Sequence, residues 1–406
     1  MTKIHTYFCQ VFLILFISLG INGQPAKAQG KLPPLEDIDL LLTNVTVQLE
    51  ITFGIDALYN YEFKVAQNQF QWLKQAYPEH PLPYFLLGLC EWWKIIPNTD
   101  ETKYDKAFMA YMDSAVYFAE QRYKLNKKDP EASLFIAGAL AFQGRLLGER
   151  HDWTEAGFKA KKALNYFEKA RKNGEELGAE MDFGDGLYNY YIEWVKENYK
   201  VMRPILWFFE KGDKELGLQQ LEKAGSEAFY TRIEALYYLL HIHSAPDGDK
   251  NKLYQVSKSL HRSYPKNPYF HHIYVQSLYK LKKYDTMVPS AEHLLSKVNQ
   301  KQFGYSDNIG EAASYYLGDY YYQQGNYEKA EMYLKQTIAF GEKLPEKSYH
   351  YLNALNLSAN IEIKQNDTAM AYSYYEKLYN QAEKKSDLYK KAKKFLKKNK
   401  EFSNPQ

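Results

Sequence analysis

One interval constrains this chain more than any other feature: a small residue, a turn, and a second small residue twelve positions on. In Glu311 to Leu344, EAASYYLGDYYYQQGNYEKAEMYLKQTIAFGEKL, Gly318 and Ala330 hold those positions and Gly325-Asn326 reads as the turn between them. Leu317, Tyr321, Tyr327, Leu334 and Ile338 are the bulkier apolar partners at helical spacing. Antiparallel helices cross closely only where one side of each contact lacks bulk, so the interval predicts a tight helical hairpin.

The interval recurs. Gly54 and Ala66 bracket VTVQLEITFGIDALYNYEFKVAQNQFQWLKQAYPEHP, with Phe70 and Leu73 on the second helix and Pro78 ending it. Ala359 and Ala371 repeat it around Asn366-Asp367, and Val275 and Met287 repeat it more weakly in the unit beginning at Pro268. GDKELGLQQLEKA, from Gly212 to Ala224, reads as a turn and a second helix. Tyr104 to Asn126 and Trp153 to Arg171 are each one uninterrupted helical pattern, longer than the usual repeat. Nothing alternates in the way a sheet requires.

LG-x-x-Y, a GNY turn, E-K-A and a helix-ending proline together resemble the tetratricopeptide repeat family. The resemblance implies an all-α, right-handed superhelical α-solenoid of roughly eight antiparallel hairpins. The run from Phe183 to Leu218 also looks like a segment of the large-hairpin tetratricopeptide family that contains the yeast outer-mitochondrial inclusion-clearance protein. The expected organisation is a secretory signal over 1–28, a lead-in over 29–46 and long-helix hairpins over 47–182. An aromatic connector with degenerate hairpins follows over 183–267, then C-terminal repeats over 268–385 and a basic capping helix with tail over 386–406.

In that family the first helix of each repeat lines a concave groove, and its non-packing positions meet the ligand. Carried onto this sequence, those positions are Tyr269, His272, Gln276 and Tyr279, then Ala312, Tyr315, Asp319 and Tyr322, then Asn353, Asn356, Asn360 and Ile363. They make a Tyr/Asn/Gln-rich surface suited to an extended peptide, and also to a glycan, through ring contacts and amide hydrogen bonds. Chaperone-binding members clamp a C-terminal carboxylate with Lys and Asn. This sequence departs from that pattern.

Composition narrows the functional classes. Aromatic residues make up 16% of the 406, carried mainly by 38 Tyr and 22 Phe, which suits thin helical layers with much half-buried surface. Lys3 and His5, the apolar run Val11–Ile21 and the small-x-small Ala26-Lys27-Ala28 form a secretory-signal pattern, with cleavage expected near Ala28. The expected location is the periplasm or cell envelope, with an uncleaved membrane anchor as the alternative reading of the same segment. Loss of Lys3 and Lys27 takes the formal charge from +3 to about +1, a balance that excludes general nucleic-acid binding. Cys90 would then be the sole cysteine, so no internal disulfide is expected.

No catalytic constellation is visible. His241 and His243 lie two apart, His271 and His272 are adjacent, and neither spacing shares a helix face. HExxH, paired Cys-x-x-Cys, GxSxG and a phosphate-cradling loop are absent, so no cofactor, metal or catalytic residue is expected. Tyr188, Tyr191 and Trp194 read as a packing stripe before a ligand platform. Val201 to Phe209, VMRPILWFF, reads as a seam-sealing connector, with a docking patch as the alternative. Nine lysines between Lys384 and Lys400, with Leu388, Ala392, Phe395 and Leu396 at helical spacing, read as a capping helix that also presents charge for weak anionic-membrane contact. The functional expectation is a non-catalytic exported scaffold that binds protein or extended peptide. The alternative is a glycan- or small-ligand-capturing protein beside an outer-membrane transporter.

Overall fold

Short apolar-periodic segments separated by polar turns fold here into antiparallel pairs of helices. The computed structural model describes residues 32–35, 40–200, 203, 207 and 210–402. The expected signal lies outside these residues, as does most of Val201–Phe209. Among the described residues there is no strand and there are seventeen α-helices. Sixteen of them form eight hairpins and the last stands as a cap, which bears out the all-α hairpin array.

The chain divides into two compact units between Asn267 and Pro268. The N-terminal unit has five hairpins: α1 (Val45–Tyr59) with α2 (Phe63–Ala76), α3 (Pro81–Ile95) with α4 (Asp105–Leu125), α5 (Pro130–Glu149) with α6 (Trp153–Asn173), α7 (Ala179–Asn198) with α8 (Lys214–Glu227), and α9 (Arg232–Ser244) with α10 (Lys250–Ser263). The C-terminal unit has three, α11 (Pro268–Lys280) with α12 (Tyr284–Asn299), α13 (Asp307–Gln323) with α14 (Tyr327–Lys343), and α15 (Tyr349–Lys364) with α16 (Thr368–Gln381), followed by α17 (Asp387–Lys398).

Five hairpin turns share one backbone solution. Tyr61, His151, Lys282, Gly325 and Asn366 each adopt a positive φ of 54–74°, one residue before the cap of the second helix. The next amide reaches back five residues, as from Asn326 to the Tyr321 carbonyl at 3.0 Å and from Asp367 to Glu362 at 2.9 Å. These bonds satisfy carbonyls that the end of a helix would otherwise strand. Asp152, Asn326 and Asp367 then accept from the amides of Glu155, Lys329 and Met370 and start the second helix. Only Gly325 occupies its left-handed position without steric cost.

The crossings lie where the small residues predict. A Cβ built on Gly318 would sit 2.9 Å from Leu334 Cγ, and one on Gly54 would sit 2.8 Å from Gln69 Cβ. Ala66, Ala330, Ala359 and Ala371 are wholly buried. The Gly184-Asp185-Gly186 run is structural too. Gly184 is covered by the Phe167 ring, Gly186 meets the Gly217 carbonyl on α8, and Asp185 pairs with Arg171 at 2.5 Å.

The N-terminal unit departs from an open stack. Leu82–Trp93 of α3 and Glu131–Leu146 of α5 are buried without a break. Their inner faces meet α1 and α9. Glu234 of α9 accepts from Tyr59 Oη at 3.0 Å and from Trp93 Nε1 at 2.8 Å, while Arg145 of α5 donates to Tyr237 and Tyr238. The end of α10 returns to α1, where Tyr264 donates to Asp56 and Asn267 donates to the Tyr59 carbonyl. Five hairpins therefore enclose their concave side and fill it. A helix that is apolar all round is a buried helix, and α3 and α5 obey that rule.

A candidate binding face on the C-terminal hairpins

The expected ligand positions lie on α11, α13 and α15, where Tyr269, His272, Gln276 and Tyr279 stay partly accessible. Proline at the first position of α11 and the Ser348 cap on α15, accepting from Tyr351 N, fix where these helices begin. At the meeting of the three helices, Tyr279 stacks on Tyr316 at 4.5 Å and Tyr315 lies 4.9 Å from the His350 ring. Tyr315 also meets Tyr279 at 6.4 Å and Tyr349 at 6.2 Å, both edge-on. Tyr349 is 68% exposed, and Tyr279, His272, Gln276 and His350 are half-buried.

Burial sets the electrostatics of this face. Desolvation lowers His272 to about 4 and His350 to about 4, the latter helped by His272, so both rings are neutral near pH 7. The phenols of Tyr279 and Tyr315 are raised far above the usual range by burial, and stay protonated. Asp319 accepts from Tyr279 Oη and from Gln323 Nε2, each at 2.6 Å and both on Oδ2. The arrangement offers ring faces, ring edges, amides and one carboxylate. Such groups are suited to orienting a ligand by ring contacts and hydrogen bonds.

Several expected positions stand differently from the open groove the sequence suggests. Ala312, Tyr315 and Asp319 are buried, because neighbouring rings of α11 and α15 close over them. Asn356 and Asn360 are occupied from within the chain: Lys391 of α17 donates to both, at 2.6 and 3.0 Å, and Tyr375 donates to Asn360 at 3.0 Å. Asn353 bonds to the Tyr349 carbonyl, Tyr322 lies against Tyr327, and Tyr269 lies beside Phe270. Ile363 is exposed. The face therefore centres on Tyr279, Tyr315, Asp319, His272 and Gln276, joined by Tyr316, Tyr349, His350 and Gln323, which the repeat template does not mark. On α15 the template marks positions from Asn353 onward, whereas Tyr349 and His350 reach in from its first turn. The adjacent aromatics in YHY at 349–351 are the signal for them.

Other candidates resolve into packing. Tyr188 and Trp194 pack on Ile192 and Val195, and Tyr191 is buried. His271 faces Tyr305 and His293, while His272 turns toward His350, so the adjacent pair does diverge. Cys90 is buried, which raises its thiol. On α17, Ala392 is buried and Phe395 lies 4.6 Å from Tyr375, as a cap requires, and its lysines are exposed, with Lys391 bonded to Asn356 and Asn360. No group of three His, Cys, Asp or Glu among the described residues is placed to hold a metal ion. No helix among them is long and apolar enough to cross a membrane.

Paired antiparallel helices with small-residue crossings and left-handed turns define an all-α helical-repeat array. Solved structures similar to this chain include the tetratricopeptide domain of P58(IPK), at 13% identity over 87% of this chain and 99% of that one, with a TM-score of 0.22. Yeast Tom70 is similar at 13% identity over 89% of this chain and 98% of that one, with a TM-score of 0.19. No family model matches the chain, and no curated protein matches it.

Proposed function

We propose that this chain is a non-catalytic, exported scaffold that binds an extended peptide segment of a partner protein on the inner face of α11, α13 and α15. The observation that carries this reading is the cluster of Tyr279, Tyr315, Tyr349, His350, His272 and Gln276 on three successive first helices, neutral in its rings and partly open to solvent. Tyrosine edges and a side-chain amide match the alternating apolar and hydrogen-bonding character of an extended backbone. Export is supported by the charged, apolar and small-residue pattern of Lys3 to Ala28.

The test is a binding measurement on the full chain without the signal. Tyr349→Ala removes a mostly exposed ring that meets the buried Tyr315 only edge-on, so peptide affinity should fall about tenfold, in the range of a truncated aromatic anchor, with helicity unchanged. Unaltered affinity in Tyr349→Ala would contradict the placement of the site. Saturable binding of soluble oligosaccharides in place of peptides would replace this reading with the glycan one.

A further inference from the structure

We infer that Asp319 is the recognition point for one basic side chain, lysine or arginine, of the bound peptide; this rests on the peptide-binding reading above and names the chemistry of its ligand. Asp319 is 9% exposed, and it lies on α13 among Tyr279, Tyr315 and Tyr284. Both of its hydrogen bonds come from neutral donors and fall on Oδ2. Oδ1 has no partner among the described residues, and no cationic side chain among them pairs with this carboxylate. A buried carboxylate with one oxygen left open among tyrosine rings is complementary to a cationic group.

The surroundings favour the same sign. Tyrosine rings present negative faces, which attract ammonium and guanidinium groups and repel carboxylates. Two lysines of this unit are engaged elsewhere. Lys364 donates to Tyr327 Oη at 2.6 Å, and Lys391 is held by Asn356 and Asn360. The free oxygen and the rings beside it thus select a long basic side chain, whose stem lies along tyrosine and whose head reaches Oδ1. This is the opposite preference from a clamp that captures a terminal carboxylate.

The experiment screens the full chain, without the signal, against a random library of N-acetylated, C-amidated peptides and remeasures the retained sequences singly. Lysine or arginine should be enriched at one position, and replacing that arginine by citrulline should weaken binding to the wild-type protein at least about tenfold. Asp319→Asn keeps an acceptor for Tyr279 and Gln323, and it should bind the arginine and citrulline peptides alike. Retained peptides with no basic preference, or equal binding of arginine and citrulline to the wild type, overturn the role of Asp319 and leave the peptide face standing. Retention of no peptide at all removes both readings. If Asp319→Asn does not fold, the citrulline comparison on the wild-type chain decides the matter.

Discussion

Glu234→Gln should remove a pH dependence built into the core of the N-terminal unit. Glu234 is wholly buried; its Oε1 accepts from Trp93 and Tyr59, and its Oε2 has no hydrogen-bond partner among the described residues. Burial raises its pKa from 4.5 to about 7, against the opposing pull of the Trp93 and Tyr59 hydrogen bonds and of Arg145. A group raised on folding stabilises fully below its unfolded value, and that contribution is lost as pH rises through the folded one. A shift of this size corresponds to roughly 3 kcal/mol, present near pH 4.5 and gone by about pH 8. Glutamine has the same shape and never ionises, so the variant should gain on the wild type by roughly that amount between those limits. All six tryptophans, Trp72, Trp92, Trp93, Trp153, Trp194 and Trp207, precede Asn267, so tryptophan emission during denaturant unfolding reads this unit alone. Asp56, raised to about 6 by burial, adds a slope of the same sign to both proteins and cancels in the difference. A stability difference between the two proteins that stays constant from pH 4.5 to pH 8 would refute the reasoning.

Three further outcomes are expected. Gly318→Leu or Ala330→Leu forces bulk into the α13–α14 crossing, where a Cβ at Gly318 already meets Leu334 at 2.9 Å, and should cost about 1 to 3 kcal/mol in denaturant unfolding followed by near-ultraviolet tyrosine circular dichroism. Lys282→Gly places glycine at an exposed residue with φ of 54° and should stabilise the C-terminal unit by about 0.5 to 1 kcal/mol in the same assay; a loss of stability would contradict the left-handed turn. His350, lowered to about 4 by burial and by His272, contributes stability that is complete above pH 6.5 and lost as pH falls toward 4, so His350→Gln should flatten that acid limb by roughly 3 kcal/mol.

Much of the array was legible because its causes are local. A turn amide reaching back five residues, an Asp or Asn cap three residues before the amide it holds, and a glycine such as Gly318 receiving Leu334 of the paired helix all lie within one hairpin. The candidate face was legible only in part. Tyr279, Tyr315 and Asp319 do converge, but Tyr349 and His350 come from the first turn of α15, ahead of the positions the repeat pattern marks there. Asn356 and Asn360 fit the pattern of ligand-facing residues, yet Lys391 lies 31 residues beyond Asn360 in the chain and takes both. Pattern identifies a side chain able to bind something, and it is silent on whether the chain itself supplies the partner.

The sequence by itself determined the unit of construction. Helix periods, turns and small crossing residues act over a few tens of positions, where steric exclusion and backbone hydrogen bonding leave a single compact answer. Tertiary structure alone decided that five hairpins would close on themselves, bringing Glu234 to Tyr59 across 175 residues and Arg145 to Tyr237 across 92. Closure depends on small rotations accumulated from one hairpin to the next, and no short stretch of sequence encodes their sum. The unbroken burial of α3 and α5 is its consequence, and it leaves the inner face of the C-terminal hairpins as the surface on which recognition is proposed.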